Sequence, residues 1–216
     1  MIKAVIFDMD GLIVDTEPLY SRAAIEIAKK RNKEFTLEIK QEMMGRLGIE
    51  SMRIFKERLS LDESPEELLF ERGILYDRLL KEEGAKPMPG LFEILGLLDS
   101  LKIPYSIASS SKRIWIDFIL ESLKIKDRFV SILSCEDIKR GKPDPEIYIK
   151  SIEILKKPKE ECLVLEDAIS GVIAGKRAGC KCIAVRNEFN RNLEFEGADL
   201  VVESLLDITK ELLERL

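Results

Sequence analysis

Asp8 and Asp10 stand two residues apart at the end of an apolar run, Ala4 to Phe7, and Gly11 follows them. Such a run reads as a buried strand. Side chains at i and i+2 of extended backbone point to one side. Both acids can therefore face one point beyond the strand's carboxyl end, where open α/β sheets place their ligands. Carboxylates so close repel one another unless a cation, a proton or a basic side chain intervenes. Further along the chain, Ser109 and Ser110 follow a second apolar run, Glu166 and Asp167 follow another, and Lys142 sits in a Gly-Lys-Pro loop ahead of a helical stretch. In a parallel sheet these ends share one edge, so all six side chains and Lys142's ammonium can converge.

That set suits phosphoryl transfer. Asp8 can attack phosphorus and form an aspartyl-phosphate. Mg²⁺ takes hard oxygen ligands, commonly one or two carboxylates with water and substrate phosphate. Asp8 and Asp167 fit that role, with the backbone carbonyl of Asp10 and with Glu166. A serine hydroxyl and the following N–H can hold phosphate oxygens, and Lys142 adds a positive point charge to those oxygens or to Asp8. Asp10 can protonate the leaving oxygen and then deprotonate the hydrolytic water. The chain has no histidine, so acid–base work falls to carboxylates, lysine or tyrosine.

The elements that must position these groups follow from periodicity. After Glu17-Pro18 the spacing is helical up to Asn32. Thr36 is placed to cap a second helix, Gly45-Arg46-Leu47-Gly48 interrupts, and a third helix carries Met52, Phe55 and Leu59. Ser64-Pro65-Glu66-Glu67 combines a Ser cap, a Pro at the first helical position and a Glu three residues after the cap. Residues 84–90, with Pro87 and Pro89, read as a linker. From Leu91 onward helices and strands alternate: strands at Tyr105–Ala108, Val130–Leu133, Cys162–Leu165, Lys181–Val185 and Asp199–Val202, with a last helix capped by Ser204. The pattern predicts an α/β, Rossmann-like parallel sheet with helices on both faces. Residues 1–15 and 85–216 form its core, and residues 16–84 an all-helical insertion after the first strand.

Composition narrows the classes. Over 216 residues the chain is 35% charged and 45% hydrophobic with a net charge of −5, which fits a globular protein and excludes a nucleic-acid footprint. No apolar run approaches about 18 residues and no basic leader precedes one, so neither a membrane partner nor a signal peptide is expected. Cys135, Cys162, Cys180 and Cys182 show no C-x-x-C spacing, and reduced thiols in a cytoplasmic protein are expected.

Four segments in order carry a resemblance: Asp8-Met9-Asp10-Gly11, Ile107-Ala108-Ser109-Ser110-Ser111, Gly141-Lys142-Pro143-Asp144-Pro145 and Leu165-Glu166-Asp167-Ala168-Ile169-Ser170-Gly171. Together they resemble the four motifs of the haloacid dehalogenase superfamily, over nearly the whole chain, and the insertion resembles that family's helical-bundle cap. The resemblance is closest to the branch of β-phosphoglucomutases and sugar-phosphate phosphatases. It implies Asp8 as nucleophile, Asp10 as acid/base, Ser109 and Lys142 as phosphate partners and Glu166 and Asp167 at a Mg²⁺ site. It also implies a small phosphorylated substrate, with Arg46, Tyr20 and Glu17 as substrate-selecting residues, in a monomer or weak oligomer. β-Phosphoglucomutases carry a His in the first cap helix and a Lys and an Arg around the cap glycine loop. Here Tyr20 stands near the first position, and Met and Gly near the others. A phosphatase of small metabolites, above all phosphorylated carbohydrates, is therefore expected ahead of a mutase. A non-catalytic binding module is third, since no motif acid is missing.

Overall fold

A computed structural model of the chain describes residues 1–43 and 48–216. By contacts it divides into two compact units, Met1–Asp15 with Lys86–Leu216, and Thr16–Ala85.

The larger unit is built on β1 (Ala4–Phe7), whose four residues are all buried. Two-residue strands β2 (Val14–Asp15) and β3 (Lys86–Pro87) pair antiparallel where the chain leaves and re-enters this unit. The sequence reading has only a linker at residues 84–90, because two residues are too few to show a period of two. The remaining strands are β4 (Tyr105–Ala108), β5 (Ser131–Leu133), β6 (Cys162–Glu166), β7 (Lys181–Val185) and β8 (Leu200–Val202). They join β1 in a parallel sheet of order β5-β4-β1-β6-β7-β8. The order reverses direction at β1, which puts a crevice at the carboxyl ends of β4, β1 and β6.

Both faces of the sheet are covered, which is why its strands are continuous apolar runs rather than alternating ones. Ala4 and Ile6 face a core shared with Ala108, Val164, Val172 and Ala174, into which α7 (Glu146–Leu155) and α8 (Ile169–Ala178) bring Ile147, Tyr148 and Ala178. Phe7 joins Tyr105 and Phe129 in an edge-to-face triangle with ring centroids 5.1 to 6.2 Å apart. Each such pair is worth about 0.5–1.5 kcal/mol beyond its burial. The helices α5 (Leu91–Ser100) and α6 (Arg113–Ser122) complete the unit with the terminal α9 (Lys210–Arg215). Ser204 does not cap α9: its hydroxyl serves a 3₁₀ turn at Leu205–Asp207, and Thr209 caps the helix.

The smaller unit holds α1 (Glu17–Lys30), α2 (Leu37–Met43), α3 (Gly48–Leu59) and α4 (Pro65–Glu83). Buried Ala23, Ala24, Ile27 and Ala28 give α1 a flat face, and Leu68, Leu75, Leu79 and Leu80 give α4 a matching stripe. The capping box at Ser64 and Glu67 forms in both directions. Arg31 clamps the start of α4 through Glu63 at 2.8 Å and Glu71 at 2.7 Å. Gly48, expected in the interruption, is instead the first residue of α3, and Arg46 lies outside the described residues.

Candidate active site

The turn after β1 is held by one carbonyl. Met9 O accepts from the amides of Leu12, Ile13 and Val14, and Gly11 adopts φ +78°. A Cβ on Gly11 would lie 2.1 Å from Asp167 Oδ2, so only glycine lets this turn approach the end of β6.

Lys142 joins three strand ends. Its Nζ donates to Asp8 Oδ1 at 2.6 Å, to the Ala108 carbonyl at the end of β4 at 2.9 Å and to Glu166 Oε1 at 2.7 Å. Its side chain is 5% exposed. Burial pulls the ammonium's pKa down, but Asp8 and Glu166 outweigh that and leave it raised.

Asp10 takes a different set of partners. Its Oδ2 accepts from Ser111 Oγ at 2.7 Å and from Ser109 Oγ at 3.4 Å. Ser109 is buried and its Oγ also accepts from the Ser111 amide, whereas Ser110 is exposed. The sequence reading named Ser109 and Ser110 and left out Ser111. Nothing in a run of three serines says which of them turns inward.

Glu166 is anchored through both oxygens. Oε1 accepts from Lys142 and from Tyr148 Oη at 2.7 Å, and Oε2 accepts from the amides of Asp167 and Ala168, both at 3.0 Å. Gly171 lies against it, since a Cβ there would fall 1.6 Å from Oε1. The buried Tyr148 ring also lies 4.9 Å from Lys142 Nζ. Tyr148 was not legible in the sequence: a buried tyrosine on an apolar helix face looks like core. Tyr148→Phe is expected to cost about 1.5–3 kcal/mol, the range for a hydrogen bond to a charged group. Chemical denaturation of the variant measures it, and a loss under about 0.5 kcal/mol would mean the hydroxyl is not supporting Glu166.

Asp8, Glu166 and Asp167 each offer an oxygen within 4.8 Å of the others. Burial is the main cause raising Asp8 to about 7, opposed by Lys142 and reinforced by Glu166 and Asp10. Asp167 is raised well above its ordinary value, first by burial, then by Glu166 and Asp8. Three carboxylates against one lysine leave the cluster with surplus negative charge, and its donors are all hard oxygens. That donor set fits a divalent cation of the Mg²⁺ type.

The pH consequence has a definite sign. The raised carboxyls stabilise the cation-free protein most at acid pH, and this contribution from Asp8 is lost as pH rises from about 4 to about 7. A cation must displace the same protons, so its affinity runs the other way. The thermal midpoint shift produced by Mg²⁺ is expected to be larger at pH 8 than at pH 6, with an apparent dissociation constant about tenfold lower. A shift that is equal at both pH values would show that Asp8 does not compete for the cation.

The other expected site residues fall in the helical unit. Glu17 Oε1 accepts from Ser21 Oγ at 3.0 Å and pairs with Lys40 at 3.2 Å. Tyr20 stacks on Tyr76 with centroids 4.2 Å apart, and the Arg72 guanidinium lies over the Tyr20 ring, 5.3 Å from its centroid. Both are thus engaged within their own unit.

The parallel sheet thus carries an aspartate pair after β1 and one lysine that ties its carboxyl edge, an arrangement of the α/β class with its polar groups gathered at the switch in strand order. The chain belongs to the haloacid dehalogenase-like hydrolase family, whose model matches residues 5–185, and it is a phosphoric monoester hydrolase. It is 34% identical over 220 residues to the phosphorylated carbohydrates phosphatase of Thermotoga maritima, covering 98% of this chain and 100% of that one. It is 32% identical over 217 residues to the β-phosphoglucomutase of Bacillus subtilis, covering 98% and 93%. Among solved structures, a HAD hydrolase of family IA, variant 3, from Entamoeba histolytica superimposes with a TM-score of 0.85 at 25% identity, covering 98% and 97%. No helix among the described residues is long and apolar enough to cross a membrane.

Proposed function

We propose that this chain is a Mg²⁺-dependent phosphatase of small phosphorylated metabolites, with phosphorylated carbohydrates as its substrate class. The observation that carries the reading is the division of partners between the two aspartates: Asp8 paired with Lys142, Asp10 held by Ser109 and Ser111. Asp8 attacks phosphorus, and the bond from phosphorus to the ester oxygen breaks as the aspartyl-phosphate forms. Asp10 gives that oxygen its proton, then takes one from the water that hydrolyses the intermediate. Lys142 holds Asp8 in place and offsets its charge. Asp8, Asp167 and the Asp10 carbonyl are assigned as ligands, with Glu166 anchoring the cluster from behind. Mg²⁺, when bound, offsets the negative charge of nucleophile and phosphate. Substrate choice is assigned to the helical unit, including Arg46, Tyr20 and Glu17. A cytoplasmic setting is part of the reading, supported by four cysteines held as free thiols.

A phosphosugar mutase is the second reading, favoured by the relationship to the Bacillus enzyme. One screen separates the two: phosphate release over a panel of phosphorylated sugars and short polyol phosphates, with β-glucose 1-phosphate plus a bisphosphate primer run alongside. The phosphatase reading expects free phosphate to exceed glucose 6-phosphate by far. Glucose 6-phosphate as the main product would replace it with the mutase, and no turnover of any ester by a folded protein would sink both.

A further inference from the structure

β7 ends at Val185, and the loop after it returns toward the turn that follows β1. Its first polar residue without charge is Asn187. The Asn187 Nδ2 group donates twice, to Asp167 Oδ2 at 2.8 Å and to the Gly11 carbonyl at 3.0 Å. One amide therefore ties the ends of β1 and β6 together on the side away from Lys142's contact with β4. Its orientation is determined, because Oδ1 accepts from the amides of Phe189 and Asn190 at 2.9 and 3.1 Å. Turning the amide over would set its oxygen against a carboxylate and a carbonyl, and its NH₂ against two N–H donors.

The loop that presents Asn187 is itself anchored. Asn190 is 4% exposed. Its Oδ1 accepts from the Asn187 amide at 2.8 Å, and its Nδ2 donates to the carbonyls of Asp167 at 2.9 Å and Val185 at 3.1 Å. Arg186 Nη1 donates to the carbonyls of Asn190, Arg191 and Leu193. A segment without regular secondary structure is thus fastened to β6 and to itself at every polar position that the clamp needs.

We propose that Asn187 is a positioning residue for the cation site, setting the orientation of the Asp167 carboxylate and the place of the Asp10-Gly11 turn. With Oδ2 held by Asn187, Oδ1 is the Asp167 oxygen left to a cation. With the Gly11 carbonyl held, the peptide next to the Asp10 carbonyl cannot swing. Partners of this kind behind metal ligands cost about 10- to 100-fold in affinity when removed. This inference rests on the reading that Asp8, Asp167 and the Asp10 carbonyl hold a divalent cation.

The test is calorimetric titration of the full chain with MgCl₂ at a temperature well below unfolding, comparing wild type with Asn187→Leu, which keeps volume and removes both donors. Asn187→Ser, too short to span the two acceptors, serves if the leucine variant does not fold. The expected result is a dissociation constant for Mg²⁺ raised about 10- to 100-fold. In turnover, the Mg²⁺ concentration for half-maximal rate rises similarly while KM for the phosphate ester at saturating Mg²⁺ stays within about twofold. A lower thermal midpoint with unchanged Mg²⁺ affinity would make Asn187 a purely structural residue and overturn the inference alone. Wild type that binds no Mg²⁺ would overturn the cation reading together with it.

Discussion

Asp8→Asn is expected to reduce phosphate release from a generic aryl phosphate by about four orders of magnitude or more, because an amide oxygen cannot form the acyl phosphate and no other nucleophile stands in its place. Folding is expected to move the other way. The ionised Asp8 carboxylate is costly where it sits, which is why burial raises it to about 7. An uncharged amide of the same shape removes that cost and still offers an oxygen to Lys142. Above neutral pH, without Mg²⁺, the variant should unfold at a temperature equal to or higher than wild type. The pair of measurements separates chemistry from folding. Activity within tenfold of wild type would remove Asp8 from the nucleophile role. Lost activity with a large drop in the unfolding temperature would mean that Asp8 is a structural member of the lysine network.

Lys142→Met is expected to have the largest effect on stability. The side chain keeps its length and its apolar stem, while the charge that faces Asp8 Oδ1 at 2.6 Å and Glu166 Oε1 at 2.7 Å disappears. Two buried carboxylates then face one another without their cation. Removing one partner of a buried pair costs about 3–5 kcal/mol, which for a chain of this size corresponds to roughly 6–20 °C in unfolding temperature. The loss should be smallest at acid pH, where Asp8 takes up its proton, and should grow as pH rises through about 7. Added Mg²⁺ should recover part of it. Phosphate release should fall by about 10²- to 10³-fold, the usual scale for one electrostatic group at a reacting centre. Thermal unfolding at pH 6 and pH 8, with and without Mg²⁺, measures all three signs. A loss below about 1 kcal/mol, or one that does not change with pH, would show that the lysine is not what neutralises this cluster.

These two residues also mark how far a linear reading reaches. Asp8 was legible because its chemistry is local: an apolar run, then carboxylates two apart, then a glycine. Lys142 was legible as a candidate from its Gly-Lys-Pro loop, with Asp8 as an expected partner, but its contacts with Glu166 and the Ala108 carbonyl were not. The Asp8 contact spans 134 positions and the Glu166 contact 24, and periodicity carries no information at such separations. Tyr148 and Asn187 were missed for the same reason. Each looks ordinary in its own segment, and each matters through what the strand order brings beside it. The contact of Ser111 with Asp10 was not legible either, since loop torsions decide which hydroxyl meets that carboxylate.

Local patterning was enough to mark the elements and the ends at which reactive groups stand. Continuous apolar strands, helical stripes and the Ser64–Glu67 box are local energetics, and they suffice for a parallel α/β core with a helical insertion. How the carboxyl edge is wired emerges from the folded chain: Lys142 across three strands, Tyr148 behind Glu166, Asn187 between Gly11 and Asp167, and the short β2–β3 pair. The physical reason is register. Parallel pairing of β1 with β4 and β6 sets which strand ends meet, and hydrogen bonds a few ångströms long follow from that alignment rather than from any neighbouring residue in the chain.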